Sequence, residues 1–236
     1  MDKKKLPIHV ISATRLSETV FWSESALGRS LKYFLSKGGI QASIHYTNKD
    51  GLPDIYNRHI ESSTTDEILV FVHDDVWLES LGDLDWDECV HSAMDVFDVV
   101  GVVGNTRLVA SQPGWCFRAI ENNSLIPDVG HLSGFIGHGD NPTSMKDDFG
   151  PTPMECKVLD GVFFAVKSSV ITPSPVRFDG IFDFDFYDLD FCRTAVKYGL
   201  RLGTYPISLT HQSNTNGYGS TAWMLSYSRY LGKWGS

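Results

Sequence analysis

The run Ile68-Leu-Val-Phe-Val-His-Asp-Asp-Val76 constrains this chain more than any other segment. An unbroken apolar stretch of this kind suits a strand buried on both faces, and such strands belong to parallel sheets covered by helices on either side. The stretch stops abruptly at two adjacent carboxylates, Asp74 and Asp75. In open α/β sheets ligands gather beyond the carboxyl ends of strands. Hard oxygen donors at such a place suit Mg²⁺ or Mn²⁺ held against a diphosphate. The same pair would also serve to begin a turn, so the rest of the chain must decide between the two.

The flanking segments supply α/β partners. Residues 6–13 read as a first strand, after which Val20, Leu27, Leu31, Phe34 and Leu35 share one helical face before Gly38-Gly39. A second strand over 41–46, a short helix over 54–63 and the strand 68–72 complete a βαβαβ order. Trp86, Cys89, Val90, Ala93, Met94 and Phe97 recur at helical spacing behind a capping box of Asp85 and Glu88, ahead of a strand over 99–103. Between 104 and 157 the pattern dissolves into Gly, Pro, Asn and Asp with isolated aromatics. That is too long for an ordinary connection and reads as an irregular, substrate-facing insertion. Regularity returns over 158–166, in a helix over 188–198 closed by Gly199, in a strand over 202–209 and in an aromatic, helix-capable tail. The expectation is one α/β domain over 1–236, with a mostly parallel central sheet flanked by helices.

A formal net charge of −9 argues against nucleic acid as a partner, which a broad basic surface would favour, and suits an acidic site that recruits a divalent cation. Apolar runs fall short of the roughly 20 residues that span a bilayer, and the start carries no secretory signal. A soluble, cytoplasmic protein with at most peripheral membrane contact is expected. Cys89, Cys116, Cys156 and Cys192 form no C-x-x-C pair, so neither a zinc site nor a disulfide framework is indicated. Gly101-Val-Val-Gly104 falls short of a dinucleotide-binding fingerprint.

The second half carries its own chemistry. Residues 178–193 pack five aspartates among aromatics. At 100° per residue, Asp188 lies on the helical side of Leu189, Cys192, Ala195 and Val196, whereas Asp190 turns toward Arg193, Thr194 and Lys197. A carboxylate near a helix N-terminus is stabilised by the dipole while desolvation opposes its ionisation, which makes Asp188 a general-base candidate. The alternative is a helix cap at Asp188 and a surface ion pair at Asp190. His211 ends a strand-like run ahead of a polar, Gly-rich loop, where it serves either a metal or a structural hydrogen bond. Asp160-Gly161, just before the apolar run 162–166, reads as a turn or as a substrate contact. The stripe Trp223, Tyr227, Tyr230 and Trp234 reads as a helix packed onto the core rather than a sugar-stacking or membrane-edge surface.

Taken in order, residues 6–15, 48–57 and 69–76, Leu159-Asp-Gly161, Tyr187-Asp-Leu-Asp-Phe-Cys192 and Thr210-His-Gln-Ser213 resemble the GT-A glycosyltransferases of family 2. The resemblance is to the bacterial branch with a His-x-Asp-Val strand end, and it covers most of the chain. It implies metal-dependent, inverting transfer of a sugar from a nucleoside-diphosphate donor to a glycan or other hydroxyl acceptor, in glycan or polysaccharide biosynthesis. By that resemblance Ala13, Thr14, Arg15 and Asn48 would hold the nucleotide and Asp74 would approach the ribose. Asp75 would take the cation, Mn²⁺ or Mg²⁺, with His211 completing the metal or diphosphate end. Asp160 would border the donor sugar and acceptor pocket, and Asp188 would be the catalytic base.

Two departures stand out: His73-Asp74-Asp75 replaces the usual D-x-D, and Tyr187 replaces the Glu before the catalytic Asp. Two rival readings remain. A sugar nucleotidyltransferase needs a Gly-rich loop with Lys or Arg near its start, and Ser12-Ala-Thr-Arg-Leu16 lacks those glycines. A nucleotide- or glycan-binding module without turnover is the other, and Tyr187 speaks for it.

Overall fold

The computed structural model describes residues 5–143, 145–212 and 217–235. Strand and helix alternate from the start: β1 (Ile8–Ala13), α1 (Glu18–Glu24), α2 (Ala26–Ser36), β2 (Ile40–His45), α3 (Leu52–Ser62) and β3 (Ile68–Val72). The single amphipathic face expected before Gly38 is divided between α1 and α2. Ser25 makes the break: its hydroxyl donates to the Phe21 carbonyl at 2.8 Å and accepts from the Gly28 N–H at 2.9 Å. A Cβ on residue 28 would collide with that same carbonyl, so glycine is required where the helices cross. The break lets the Leu27 N–H reach the Asp74 carbonyl at 3.1 Å, tying α2 to the turn that carries the acids.

Then follow β4 (Val76–Leu78), α4 (Trp86–Ala93), β5 (Val99–Gly101), β6 (Val103–Asn105), and the hairpin of β7 (Phe117–Glu121) and β8 (Ser124–Pro127). Next come β9 (Leu132–His138), β10 (Asp147–Gly150), β11 (Met154–Cys156), β12 (Val158–Leu159), β13 (Phe163–Lys167) and the short α5 (Ser168–Ile171). The last elements are α6 (Tyr187–Lys197), β14 (Leu202–Thr204), β15 (Leu209–His211) and α7 (Thr221–Trp234).

The central sheet runs β11-β14-β5-β13-β3-β1-β2, with helices packed against it. The α/β class stands, but the sheet is mixed rather than mostly parallel. β13 runs antiparallel to both β3 and β5, and β11 antiparallel to β14. An apolar run such as 163–166 reports burial on both faces, and burial carries no information about strand direction.

A second sheet, β12-β6-β9-β15-β4 with β10 beside β9, continues from the first. By short links the chain crosses between the sheets at 73–75, at Val102, at 151–153, at Lys157, at 160–162 and at 205–208. These crossings form a seam. Residues 104–157 are accordingly not irregular: three of the six strands of the second sheet, β11 of the first and the β7–β8 hairpin come from them. β7, β8 and β10 are short and largely exposed, so no alternating pattern marks them in the sequence. Beneath the seam Phe178 stacks on Phe191 at 4.1 Å and meets Phe71 at 5.6 Å, which locks α6 to the central sheet. Among the described residues no helix is long and apolar enough to cross a membrane.

Candidate functional site

The three residues of the first crossing divide in the turn between β3 and β4: His73 and Asp75 line a cavity of about 870 Å³, and Asp74 does not. Burial pushes the Asp74 carboxyl up, and the Thr14 hydroxyl, just beyond β1, opposes the shift. His211 arrives from the other end of the chain because β15 pairs antiparallel with β4, which sets His211 opposite Val76. The Gln212 N–H then bonds the Asp75 carbonyl at 2.7 Å. His211 Nε2 lies 3.2 Å from Asp75 Oδ2.

One donor atom from each of His73, Asp75 and His211 falls within 4.8 Å of the others. Asp75 Oδ1 is buried with no hydrogen-bond partner among the described residues, an uncompensated acceptor inside the cluster. Two imidazoles and a carboxylate with one oxygen unspent fit a divalent cation. Burial opposes ionisation of Asp75, but the hydrogen bond and charge of His211 outweigh it and hold the carboxyl below its ordinary value. Burial likewise pushes His73 below the ordinary imidazole value, while His211 is raised because Asp75 more than offsets its burial. The sequence reading missed His73. The signal was its place between the apolar run and the two acids, but a D-x-D template draws attention to the acids alone.

The second half of the site rests on the start of α6. Phe186 adopts φ 69, a left-handed conformation that costs a bulky residue roughly 1–3 kcal/mol and persists only when its surroundings impose it. Here the rings of Tyr230, Trp223 and Tyr227 enclose it at 5.2, 5.3 and 5.4 Å. The turn delivers Tyr187 and Asp188 side by side onto Gly161. The Tyr187 hydroxyl donates to the Gly161 carbonyl at 2.7 Å, and the Gly161 N–H donates to Asp188 Oδ2 at 3.1 Å. A Cβ on residue 161 would collide with the Tyr187 hydroxyl and lie 2.8 Å from Asp188 Cβ.

Tyr187 has one hydroxyl hydrogen, and Gly161 receives it. The Tyr187 oxygen must therefore accept from His73 Nε2, 2.9 Å away, which leaves the imidazole lone pair on Nδ1. Asp188 also accepts from the Leu189 N–H at 2.9 Å. Burial, and then the charge of Asp160, push its carboxyl up to about 7. Asp160 is both turn and cavity wall: its Oδ1 accepts from the Val162 N–H at 2.8 Å while the residue lines the cavity. Asp190 is not on a surface face. It is fully buried beneath α7, where Oδ1 accepts from Trp234 Nε1 and from Lys233 Nζ, each at 2.7 Å.

The structure thus brings Asp75, Asp160, Asp188 and His211 to one cavity and adds His73 and Tyr187. Ala13, Thr14, Arg15 and Asn48 do not line it. They cluster at the carboxyl end of β1, where the Thr14 N–H bonds the His45 carbonyl at 2.9 Å and the Asn48 N–H bonds the Thr14 carbonyl at 2.8 Å. Arg15 is exposed there, and Asn48 closes a turn on Asp50. The contact of Thr14 with Asp74 joins this cluster to the seam. Ser213, the last residue of the Thr210-His-Gln-Ser213 resemblance, lies outside the described residues, as does the rest of 213–216.

No protein-family model matches the chain, and no curated protein matches it by sequence. Among solved structures it is similar to GalNAc-T7 with UDP, GalNAc and Mn²⁺, with a TM-score of 0.53 at 12% identity. That alignment covers 98% of this chain and 49% of the other, so this chain spans about half its length. A197 from STIV aligns with a TM-score of 0.50 at 14% identity, over 89% of this chain and 87% of that one. A mannosyltransferase from Pyrobaculum calidifontis in complex with GDP-Man and Mn²⁺ aligns less well, with a TM-score of 0.46 at 13% identity over 97% and 63% of the two chains. At these identities the likeness is one of fold, that of the GT-A transferases.

Proposed function

We propose that the chain is a metal-dependent, inverting glycosyltransferase that moves a sugar from a nucleoside-diphosphate donor to a hydroxyl acceptor. One observation carries the reading: a two-histidine, one-aspartate cluster with an unspent carboxylate oxygen shares a single cavity with a carboxyl poised near neutrality. The fold likeness to GalNAc-T7 supports it.

In this reading His73, Asp75 and His211 hold Mn²⁺ or Mg²⁺, which when bound supplies positive charge to the departing nucleoside diphosphate. Asp188 accepts the proton of the acceptor hydroxyl as that oxygen attacks the anomeric carbon and the bond to the diphosphate breaks. Attack opposite the leaving group inverts the centre. Gly161 and Leu189 hold the Asp188 carboxylate by backbone donors, so its lone pairs are aimed before substrate arrives. Ala13, Thr14, Arg15 and Asn48 seat the nucleotide, Asp74 meets the ribose, and Asp160 separates donor sugar from acceptor. The strands and hairpin of 104–157 shape the acceptor side of the one domain.

Calorimetry with UDP and GDP, with and without Mn²⁺, followed by a donor-hydrolysis screen, tests the proposal. Asp75→Ala should abolish metal-dependent nucleotide binding, and Asp188→Asn should abolish transfer while leaving that binding in place. Full transfer by either variant contradicts its assigned role. Nucleotide binding with no turnover of any donor would point to a binding module instead.

A further inference from the structure

The cavity carries a charge pattern that the transfer chemistry does not require. Among the described residues its wall holds four carboxylates, Asp75, Asp160, Asp185 and Asp188, and no Lys or Arg. Three of them are engaged: Asp75 by His211, Asp160 and Asp188 by backbone N–H groups. Asp185 makes no hydrogen bond or ion pair among the described residues, and burial raises its carboxyl above the ordinary value. An anionic group entering beside Asp185 would therefore meet repulsion with no Lys or Arg on the wall to relieve it.

The rest of the wall is aromatic. Phe117 meets Tyr218 at 5.2 Å, Tyr218 meets Trp223 at 5.8 Å, and Trp223 meets Phe186 at 5.3 Å, a continuous belt. It begins at the residue before Tyr187-Asp188 and ends on β7, the first strand of the hairpin within 104–157. Phe184, 58% exposed, stands on the rim with its ring 5.4 Å from that of His73. A pyranose matches both kinds of wall. Its axial C–H face is apolar and slightly positive, as an aromatic face prefers, while its rim of hydroxyls donates to carboxylates that can only accept. At about 870 Å³ the cavity also has room for more than one sugar ring.

We infer that the acceptor is an uncharged saccharide, stacked on the rings the cavity leaves exposed, Phe117, Phe184 and Tyr218, with a hydroxyl at Asp188, and that Asp185 excludes anionic acceptors. This rests on the glycosyltransferase reading. Its test is separate from the nucleotide experiments above.

The intact chain is titrated in EDTA, so that no metal bridges a uronate, with neutral trisaccharides of gluco, manno and galacto configuration and with trigalacturonate. The readout is the fluorescence of Trp115 and Trp223, both of which line the cavity. At least one neutral trisaccharide should give a saturable change, with trigalacturonate weaker by about tenfold or more, the scale of one close like-charge contact. Phe184→Ala, at a position too exposed to threaten folding, should weaken neutral binding by about two- to tenfold. Asp185→Asn should narrow the gap between neutral and acidic saccharides. Trigalacturonate binding as tightly as the best neutral ligand, or no neutral binding at millimolar concentration, overturns the inference. Nucleotide binding can stand in either case, so the two readings fail separately.

Discussion

Asp188 is the residue on which the proposed chemistry turns, and its environment fixes a pH profile. Burial and the nearby Asp160 push its carboxyl up to about 7. A base works only when deprotonated, so kcat/KM should rise as pH passes through about 7 and level off above it, and a profile flat from pH 5 to 9 argues against the assignment. The same shift has a stability consequence of opposite sense. A raised folded-state value means that the folded protein favours the proton, so the stabilisation is complete below the ordinary carboxylate range and lost as pH rises through about 7. Asp188→Asn should therefore stabilise the fold at pH 8, by on the order of 1–3 kcal/mol in denaturant melts, while abolishing transfer. Tyr187 acts one step back, through His73 and Gly161. Tyr187→Phe keeps the ring but frees the His73 tautomer, and Mn²⁺ affinity measured by calorimetry should fall by about 10- to 100-fold, as for other partners that orient a metal-binding histidine. Unchanged Mn²⁺ affinity would reduce Tyr187 to a packing residue. Asp75, Asp160, Asp188 and His211 could be picked out in the sequence because each ends or begins a regular segment with a polar group. Tyr187 could not, since a tyrosine beside apolar residues is indistinguishable from core until its hydroxyl is seen bridging an imidazole and a carbonyl.

At the scale of elements, the crossings between sheets place the chemistry, and they are what sequence periodicity hides. The run 68–72 is legible because it is apolar throughout and β3 is wholly buried. By contrast 158–166 reads as one strand, yet Asp160 and Gly161 divide it into β12 and β13 in different sheets. An apolar pattern records that both pieces are buried and not that the chain turns between them. The α1–α2 break is similar: Ser25 continues the helical period while capping the next helix. Away from the seam, α3 is fastened to the sheet by histidines. His45 and His59 share one hydrogen between Nε2 atoms 2.8 Å apart, with the His9 ring 5.3 Å from that of His59. Burial first, then the charges of His9, His45 and Arg58, hold His59 down at about 4. For a histidine depressed in the folded state, stability is complete above the ordinary value near 6.5 and is lost as pH falls toward 4. The chain should lose on the order of 1–2 kcal/mol across that window, with the partial exposure of His59 discounting the full shift. In urea melts at pH 7 and pH 4.5, His59→Gln should show a smaller loss than the parent chain; an equal loss would assign the acid sensitivity elsewhere.

Across the whole molecule, the cluster of His73, Asp75 and His211 links an inner strand of the first sheet, β3, to a strand near the far end of the chain. The βαβαβ order of the first half could be read from periodicity, and so could the α/β class. The mixed sheet direction and the sheet hidden in 104–157 could not, because they depend on pairings between distant short strands. The cluster has the same character: β15 reaches Asp75 only through its register with β4, and β4 lies in the sheet that draws half its strands from 104–157. An ion held there binds the folded chain and not the unfolded one, since no such register survives unfolding. By mass action it should stabilise the fold by about 2.7 kcal/mol at 100 times its dissociation constant. Mn²⁺ should accordingly raise the midpoint of thermal unfolding in a saturable way, and His211→Ala should remove most of that rise. His138 is the control. Its ring stands 6.3 Å from that of His211, but its Nδ1 is paired with Asp147 at 2.8 Å, outside the cluster. His138→Ala should therefore keep the response to Mn²⁺. If the two variants respond alike, the ion is binding to the acidic surface in general, and the convergence of the two sheets on one cation is not what holds it.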